Sequence, residues 1–193
     1  MAAKSSIKPA ARGEPVIKEV QAATLEELGR VGYRALRIED VAARAGVHKT
    51  TIYRRWPEKA DLVRETLQTT FDEAVTAPDT GSLRGDLLEI AHQVIALASS
   101  DYGQALIRMN MTEGATGELR EIVESVRARK EGMRREILER ARARGELRPE
   151  VDGELLMSTL VGSIHHSMFA RGCAPASLNV EALVDLLVRG ACV

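Results

Sequence analysis

Ile38-Glu39-Asp40-Val41-Ala42-Ala43-Arg44-Ala45-Gly46-Val47-His48-Lys49-Thr50-Thr51-Ile52-Tyr53-Arg54-Arg55-Trp56 carries two short apolar faces with a glycine between them. Ile38, Val41, Ala42 and Ala45 fall at i, i+3, i+4 and i+7, the spacing of one buried helical face. Gly46 follows where a helix must stop and the chain reverse, a place that favours positive φ. Val47 and Ile52 resume the apolar face, and the polar residues His48, Lys49, Thr50 and Thr51 lie between them. Two short helices joined by a tight glycine turn form a helix-turn-helix, whose second helix reads the DNA major groove. An ordinary helical hairpin would share the apolar spacing, but it would seldom end in a wet, cationic, aromatic cluster such as Tyr53-Arg54-Arg55-Trp56. On this reading His48, Lys49, Thr50 and Thr51 occupy the first turn of the reading helix, nearest the base edges. Thr50 or Thr51 touches a thymine methyl or a phosphate, and Lys49 reaches guanine acceptors or the backbone. Arg54 and Arg55 add to the positive field, one of them free to pair with an acidic neighbour. Trp56 is expected to be a hydrophobic plug rather than a base stacker.

The same residues carry a family resemblance. Gly32-Tyr33, Ile38-Glu39-Asp40-Val41-Ala42, Ala45-Gly46-Val47, Thr51-Ile52-Tyr53 and Lys59 with Leu62 resemble the DNA-binding domain of TetR-type transcriptional regulators. The ending Ile52-Tyr53-Arg54-Arg55-Trp56-Pro57, with Lys59-Ala60 beyond it, looks like a subgroup common in actinobacteria. The resemblance implies that Tyr53 and Lys59 hold phosphates, Tyr53 through its hydroxyl and Lys59 from the start of the next helix. Two positions depart from the pattern. The family usually opens each short helix with a small hydroxylated residue, and here those places hold Arg37 and His48, neither a good N-cap. Each can instead aim a donor at a phosphate.

Charge supports a polyanion partner once the chain is divided. Residues 1–60 hold 12 Lys+Arg and 7 Asp+Glu, a net +5, against 15 and 21 in the remainder, a net −6. A basic amino-terminal unit on an acidic body suits a nucleic-acid binder with a separate second task. The overall charge of −1 hides this division. Hydrophobic residues at 45% suffice for a core, and aromatics at only 3% imply aliphatic, helix-favouring packing. No apolar run reaches the roughly 18 residues of a membrane span, so no membrane partner is expected. Met1 to Glu14 lacks the apolar region of a signal peptide. Cys173 and Cys192 form no paired motif, which points to a reducing, cytoplasmic setting without structural zinc.

The periodicity predicts an all-α chain of about nine helices in three parts. Residues 1–14 read as a flexible arm, 15–62 as the helix-turn-helix domain, and 63–193 as a helical effector-binding and dimerisation domain. The first helix runs from Pro15 to Val31, with Ile17, Val20, Thr24, Leu28 and Val31 inward and Gly29 and Gly32 ending it. Pro57 is expected to open a fourth helix, which 76–82 breaks. Leu83, Leu87, Ile90, Val94 and Leu97 mark a fifth, and Tyr102, Leu106 and Met109 a short sixth. Leu119, Ile122, Val126, Met133 and Ile137 mark a long seventh, laced by Glu131–Arg135 and Glu136–Arg140 pairs. The arginines from Arg127 to Arg144 are interleaved with Glu131, Glu136 and Glu139, the pattern of a solvated face. The eighth helix spans Gly153 to Ala170 and the ninth Asn179 to Arg189; both are more apolar than one core requires.

No Gly-rich phosphate loop, metalloprotease motif or nucleophile elbow is present, and neither catalytic residues nor a cofactor is expected. His165 and His166 are adjacent, so on a helix they point about 100° apart and do not share a metal. The resemblance implies a body that dimerises through helices 8 and 9, with Leu156, Ile164, Leu183, Val184 and Leu187 in the interface. It also implies an effector held among helices 5 to 8. Val94, Tyr102, Met109, Met111, Met157, Leu160, His165 and Phe169 are plausible linings, although plain core packing accounts for the same residues. The expected function is a homodimeric repressor released from a palindromic operator in double-stranded DNA by a small molecule. An architectural DNA binder without an effector is the alternative.

Overall fold

A computed structural model of the chain describes residues 13–107, 109 and 117–191. Among these residues nine α-helices follow one another: α1 (Glu14–Ala35), α2 (Ile38–Arg44), α3 (Lys49–Arg55), α4 (Lys59–Ala74), α5 (Leu83–Ala98), α6 (Asp101–Ile107), α7 (Glu118–Ala143), α8 (Gly153–His165) and α9 (Val180–Ala191). Every regular element among the described residues is helical. Most of the expected arm, residues 1–12, and Met111 lie outside the described residues.

Two glycines punctuate the amino-terminal unit as the spacing predicts. Gly32 takes φ 80° and ψ 176°, which interrupts α1 just after Val31. Gly46 takes φ 66° in the turn between α2 and α3. Val20, Leu28, Val41, Ile52 and Leu62 close over a common core with almost no exposed surface. One carboxylate ties α1 to α2: buried Glu27 receives Arg30 at 2.7 Å and Arg44 at 2.6 Å. Arg37 and His48 stand at the N-cap positions of α2 and α3 without a side-chain cap. α4 starts two residues beyond the expected Pro57. The reason is local: Glu58 is extended and its N–H donates to the Asp61 carboxylate at 3.3 Å, which fixes the helix start at Lys59.

Apolar packing does not divide at residue 62. The core of α1–α4 continues into Tyr102 and Ala105 of α6, Met109, and Leu119, Ile122 and Val126 in the first half of α7. A second core joins α5, the last third of α7, α8 and α9 through Leu87, Ile90, Ile137, Met157, Leu160 and Val184. α7 therefore serves both.

Two sequence expectations are corrected here. The arginine run on α7 is not a uniformly solvated face. Arg140 donates to the Pro78 carbonyl, and Arg144 reaches fully buried Asp86 at 3.1 Å. Asp86 also accepts from the backbone and hydroxyl of Thr80 at 2.8 Å, so these arginines clamp the α4–α5 connection. The expected Glu131–Arg135 pair is replaced by Arg127–Glu131 at 3.0 Å. The second correction concerns the expected dimer interface. Leu156, Ile164 and Val184 are turned into the protomer's own core and offer no outer surface. Leu183 and Leu187 are half-buried against the same core. The large apolar side chains left outward are Leu155, 64% exposed, and Leu186, 70% exposed.

The two glycine conformations should differ in tolerance. The left-handed well of Gly46 admits alanine at about 1–2 kcal/mol, whereas the extended, positive-φ region of Gly32 is essentially closed to it. Chemical denaturation of Gly32→Ala and Gly46→Ala should therefore give the lower midpoint for Gly32→Ala. The reverse order would contradict the backbone described.

Candidate nucleic-acid interface and internal cavity

α3 presents a polar, cationic outer surface because Ile52 takes the inward position. Arg37, His48, Lys49, Thr50 and Arg54 are exposed, and Thr51 is half-buried at the foot of the helix. Tyr53 is 44% exposed, unusual for an aromatic side chain in a unit this small. Lys49 lies 3.5 Å from Glu39 of α2, a surface pair that a competing phosphate or base can displace. Arg55 is the arginine that pairs: it meets Glu65 of α4 at 2.7 Å and lies 5.3 Å over the Trp56 ring. Trp56 is only 3% exposed and its indole N–H donates to Glu65 at 2.9 Å, the geometry of a plug between α3 and α4.

Lys59 has an internal task that the sequence did not disclose. Its ammonium donates to the Tyr33 carbonyl at 3.0 Å and the Leu36 carbonyl at 3.5 Å, and stands 4.4 Å from the Tyr33 ring centroid. It thereby satisfies carbonyls freed where α1 ends. The Tyr33 hydroxyl in turn bonds the Glu118 carboxylate at the start of α7. Burial and this carboxylate push the Tyr33 phenol above its ordinary pKa.

Behind this unit lies a partly open cavity of about 570 Å³, lined by α4, α5, α6, α7, α8 and the π-helical turn His166–Ala170 that extends α8. Its size suits a drug-sized organic molecule. π-helical turns often mark functional sites, and this one places His166 and Phe169 on the cavity wall. Four of the expected linings are brought together there: Val94, Tyr102, His165 and Phe169. Met109, Met157 and Leu160 are instead fully buried core residues away from the wall. Sequence reasoning missed Phe71 and Val75 of α4, Leu106 of α6, and above all the cations Arg127, Lys130 and Arg134 of α7. A signal for Lys130 existed, since Val126, Lys130, Met133 and Ile137 share one stripe at i, i+4, i+7 and i+11.

The electrostatics of this cavity are one-sided. Burial, reinforced by neighbouring Arg134, lowers the Lys130 ammonium pKa to about 8. Its nitrogen lies 5.6 Å from the Phe71 ring and 5.8 Å from the Tyr102 ring. Burial, then Lys130 and Arg134, also lowers the His165 pKa, which favours the neutral imidazole. Tyr102 is raised, by burial first and then by Asp72, and its hydroxyl has no hydrogen-bond partner among the described residues.

Comparison with known proteins matches the reading helix and most of the cavity lining to two known segments. Residues 21–66 match the model described as bacterial regulatory proteins, tetR family, and residues 77–187 match the tetracyclin repressor-like C-terminal domain. The HTH-type transcriptional regulator AqdR of Rhodococcus erythropolis is 32% identical over 185 residues, covering 93% of this chain and 86% of its own. The crystal structure of the TetR family transcription regulator SCO0332 superposes with a TM-score of 0.67 at 29% identity, covering 91% of this chain and all of that one. TylP, a TetR regulator from Streptomyces fradiae, superposes with a TM-score of 0.71 over 96% of this chain and 89% of its own, at 22% identity.

The buried ammonium makes stability depend on pH in a stated direction. Between its folded pKa of about 8 and its ordinary 10.5, the unfolded chain holds a proton that the folded chain has released. Stability therefore rises with pH across that window, and the cost of burial is fully present below it. Lys130→Met should be more stable than wild type by on the order of 1–3 kcal/mol at pH 7, with the difference narrowing towards pH 10. Paired thermal melts at the two pH values check this; a difference that does not change with pH would contradict the burial of this charge.

Proposed function

The chain belongs to the TetR family of DNA-binding transcriptional regulators, and on that premise we propose that it is a homodimeric repressor released from a palindromic operator by a small molecule in the cavity. The observation that carries the switching half of this reading is the position of α6. Tyr102, Gly103 and Leu106 line the cavity on one side of this short helix. On its other side Gln104 and Ala105 lie against α1 at Gly29, where an added Cβ would meet the Gln104 Cβ at 3.6 Å. A molecule that fills the cavity therefore presses on an element already packed against the DNA-binding unit. Coupling requires differential binding, and a tenfold loss of DNA affinity needs about 1.4 kcal/mol between the two conformations.

The reading side rests on α3. The exposure of these side chains supports assigning Lys49 and Thr50 to base edges and Tyr53, Arg54, Arg37 and His48 to phosphates; base contacts specify and phosphate contacts position. Lys59 supports this surface from within, holding the end of α1 against α4, and contributes its charge beside the backbone of the DNA. Dimerisation is supported by the exposure of Leu155 on α8 and Leu186 on α9, with Ser158, Thr159 and Gly162 of α8 also exposed. A two-fold interface there would set two reading helices against two half-sites.

Three measurements test the proposal. Light scattering should give twice the 21.1 kDa chain mass, and Leu155→Glu with Leu186→Glu should yield a monomer with much weaker operator binding. A wild-type monomer that binds an operator tightly would sink the dimer. Arg54→Ala should weaken all sequences alike and flatten the salt dependence by about one unit of slope per half-site. Lys49→Ala should instead change which bases matter, at roughly 1–3 kcal/mol if a bidentate contact is lost. Interchanged behaviour in a salt titration and base-substitution scan would refute the docking.

A further inference from the structure

We infer that the cavity takes an organic anion with an apolar body, its headgroup a carboxylate or a similarly compact acid, and that Lys130 is the charge partner. This deepens the effector reading given above and rests on it for the location of the ligand, not for its charge.

Three observations converge. First, Arg127, Lys130 and Arg134 line the cavity from α7 at i, i+3 and i+7, so one helical face supplies positive charge to it. Second, these cations are not equally committed. Arg127 is held by Glu131 at 3.0 Å and Arg134 by Glu154 at 3.0 Å, whereas Lys130 meets only the Phe71 and Tyr102 rings among the described residues. Third, no aspartate or glutamate among the described residues lines the cavity. Asp72, whose charge acts on Tyr102, is paired with Arg129 and is not part of the lining.

A mostly buried ammonium without a counter-charge is costly, and a protein ordinarily pairs or exposes it. Here the vacancy in its hydrogen bonding is matched by a second one, the buried Tyr102 hydroxyl. An acid headgroup satisfies both at once, accepting from the ammonium and from the phenol. Val94, Leu97, Leu106 and Phe169 supply an apolar wall for the rest of the molecule. A cation would meet three like charges. A neutral apolar molecule would fill the space yet leave the ammonium and the hydroxyl unmet, so it binds more weakly than an acid of the same length.

The test holds the tail constant and varies the head. Purified full-length protein at pH 7 is titrated calorimetrically with decanoate, 1-decanol and decyltrimethylammonium. Decanoate should bind about ten- to a hundredfold more tightly than decanol, the range of a charge-assisted hydrogen bond, and the ammonium should not bind. Lys130→Met should bring decanoate down to the level of decanol, leave decanol unchanged and melt no lower than wild type. Tyr102→Phe should show a smaller loss confined to decanoate. Decanol or the ammonium binding as well as decanoate overturns the assignment, as does binding of none of the three or an unchanged preference in Lys130→Met. Operator binding is measured on the same samples. Anion-selective binding that leaves DNA affinity intact upholds this assignment while sinking the switching reading.

Discussion

The break at the end of α1 is the constraint on which the two halves of the molecule depend. Gly32 turns the backbone out of the helix, leaving the carbonyls of Tyr33 and Leu36 to find donors elsewhere. Lys59 supplies them from the first position of α4, and the Tyr33 hydroxyl reaches Glu118 at the first position of α7. Three helices thus meet at one tyrosine. Its ring carries the ammonium of Lys59, its carbonyl accepts from it, and its hydroxyl meets a carboxylate from the body. Such a junction is stiff because each bond is charge-assisted and partly screened from water.

Stiffness there has a consequence for the helix-turn-helix. α2 and α3 are seven residues each, too short to hold themselves together in water. They persist because Val41 and Ile52 are sealed against α1 and α4, and because Glu27 ties α1 to Arg44. The reading surface is therefore only as well positioned as α1 and α4. Both of those helices continue packing into α6 and the first half of α7, so a displacement in the body has a direct mechanical route to α3. Among the described residues the route is made of packed side chains and charged contacts.

Most of this was legible in the residues, and the illegible parts share a physical reason. Gly32, Gly46 and Trp56 speak clearly because turn geometry and a basic aromatic ending restrict what a chain can do. The cavity and the exposed leucines do not. Periodicity says that Met109, Met157 and Leu160 face inward, but an inward side chain packs against a neighbour or against a void with the same spacing. Helix α8 is apolar over so much of its circumference that its phase is undetermined, and this hid Leu155 behind Leu156. Lys130 was readable in principle from its place in the Val126–Ile137 stripe; the surrounding arginines drew attention to charge balance instead. Lys59 shows the converse: a residue that resembles a phosphate contact also makes a structural bond to Tyr33, which the spacing alone does not disclose.

These last two lysines belong to one argument. Lys59 is satisfied by carbonyls, so its charge is anchored, whereas Lys130 is held over two rings at a distance where cation–π attraction only partly offsets lost hydration. The ammonium therefore costs the folded body stability at neutral pH, in line with its lowered pKa. Strain of this kind persists where an occupied state relieves it. Lys130 stands twelve residues along α7 from Glu118, about 18 Å on a continuous helix. The helix that carries the unmet charge thus begins at the carboxylate that grips Tyr33. On the proposed reading, a headgroup that draws Lys130 towards itself acts on α7, and through Glu118 on the junction that positions α1, α4 and the reading helix between them.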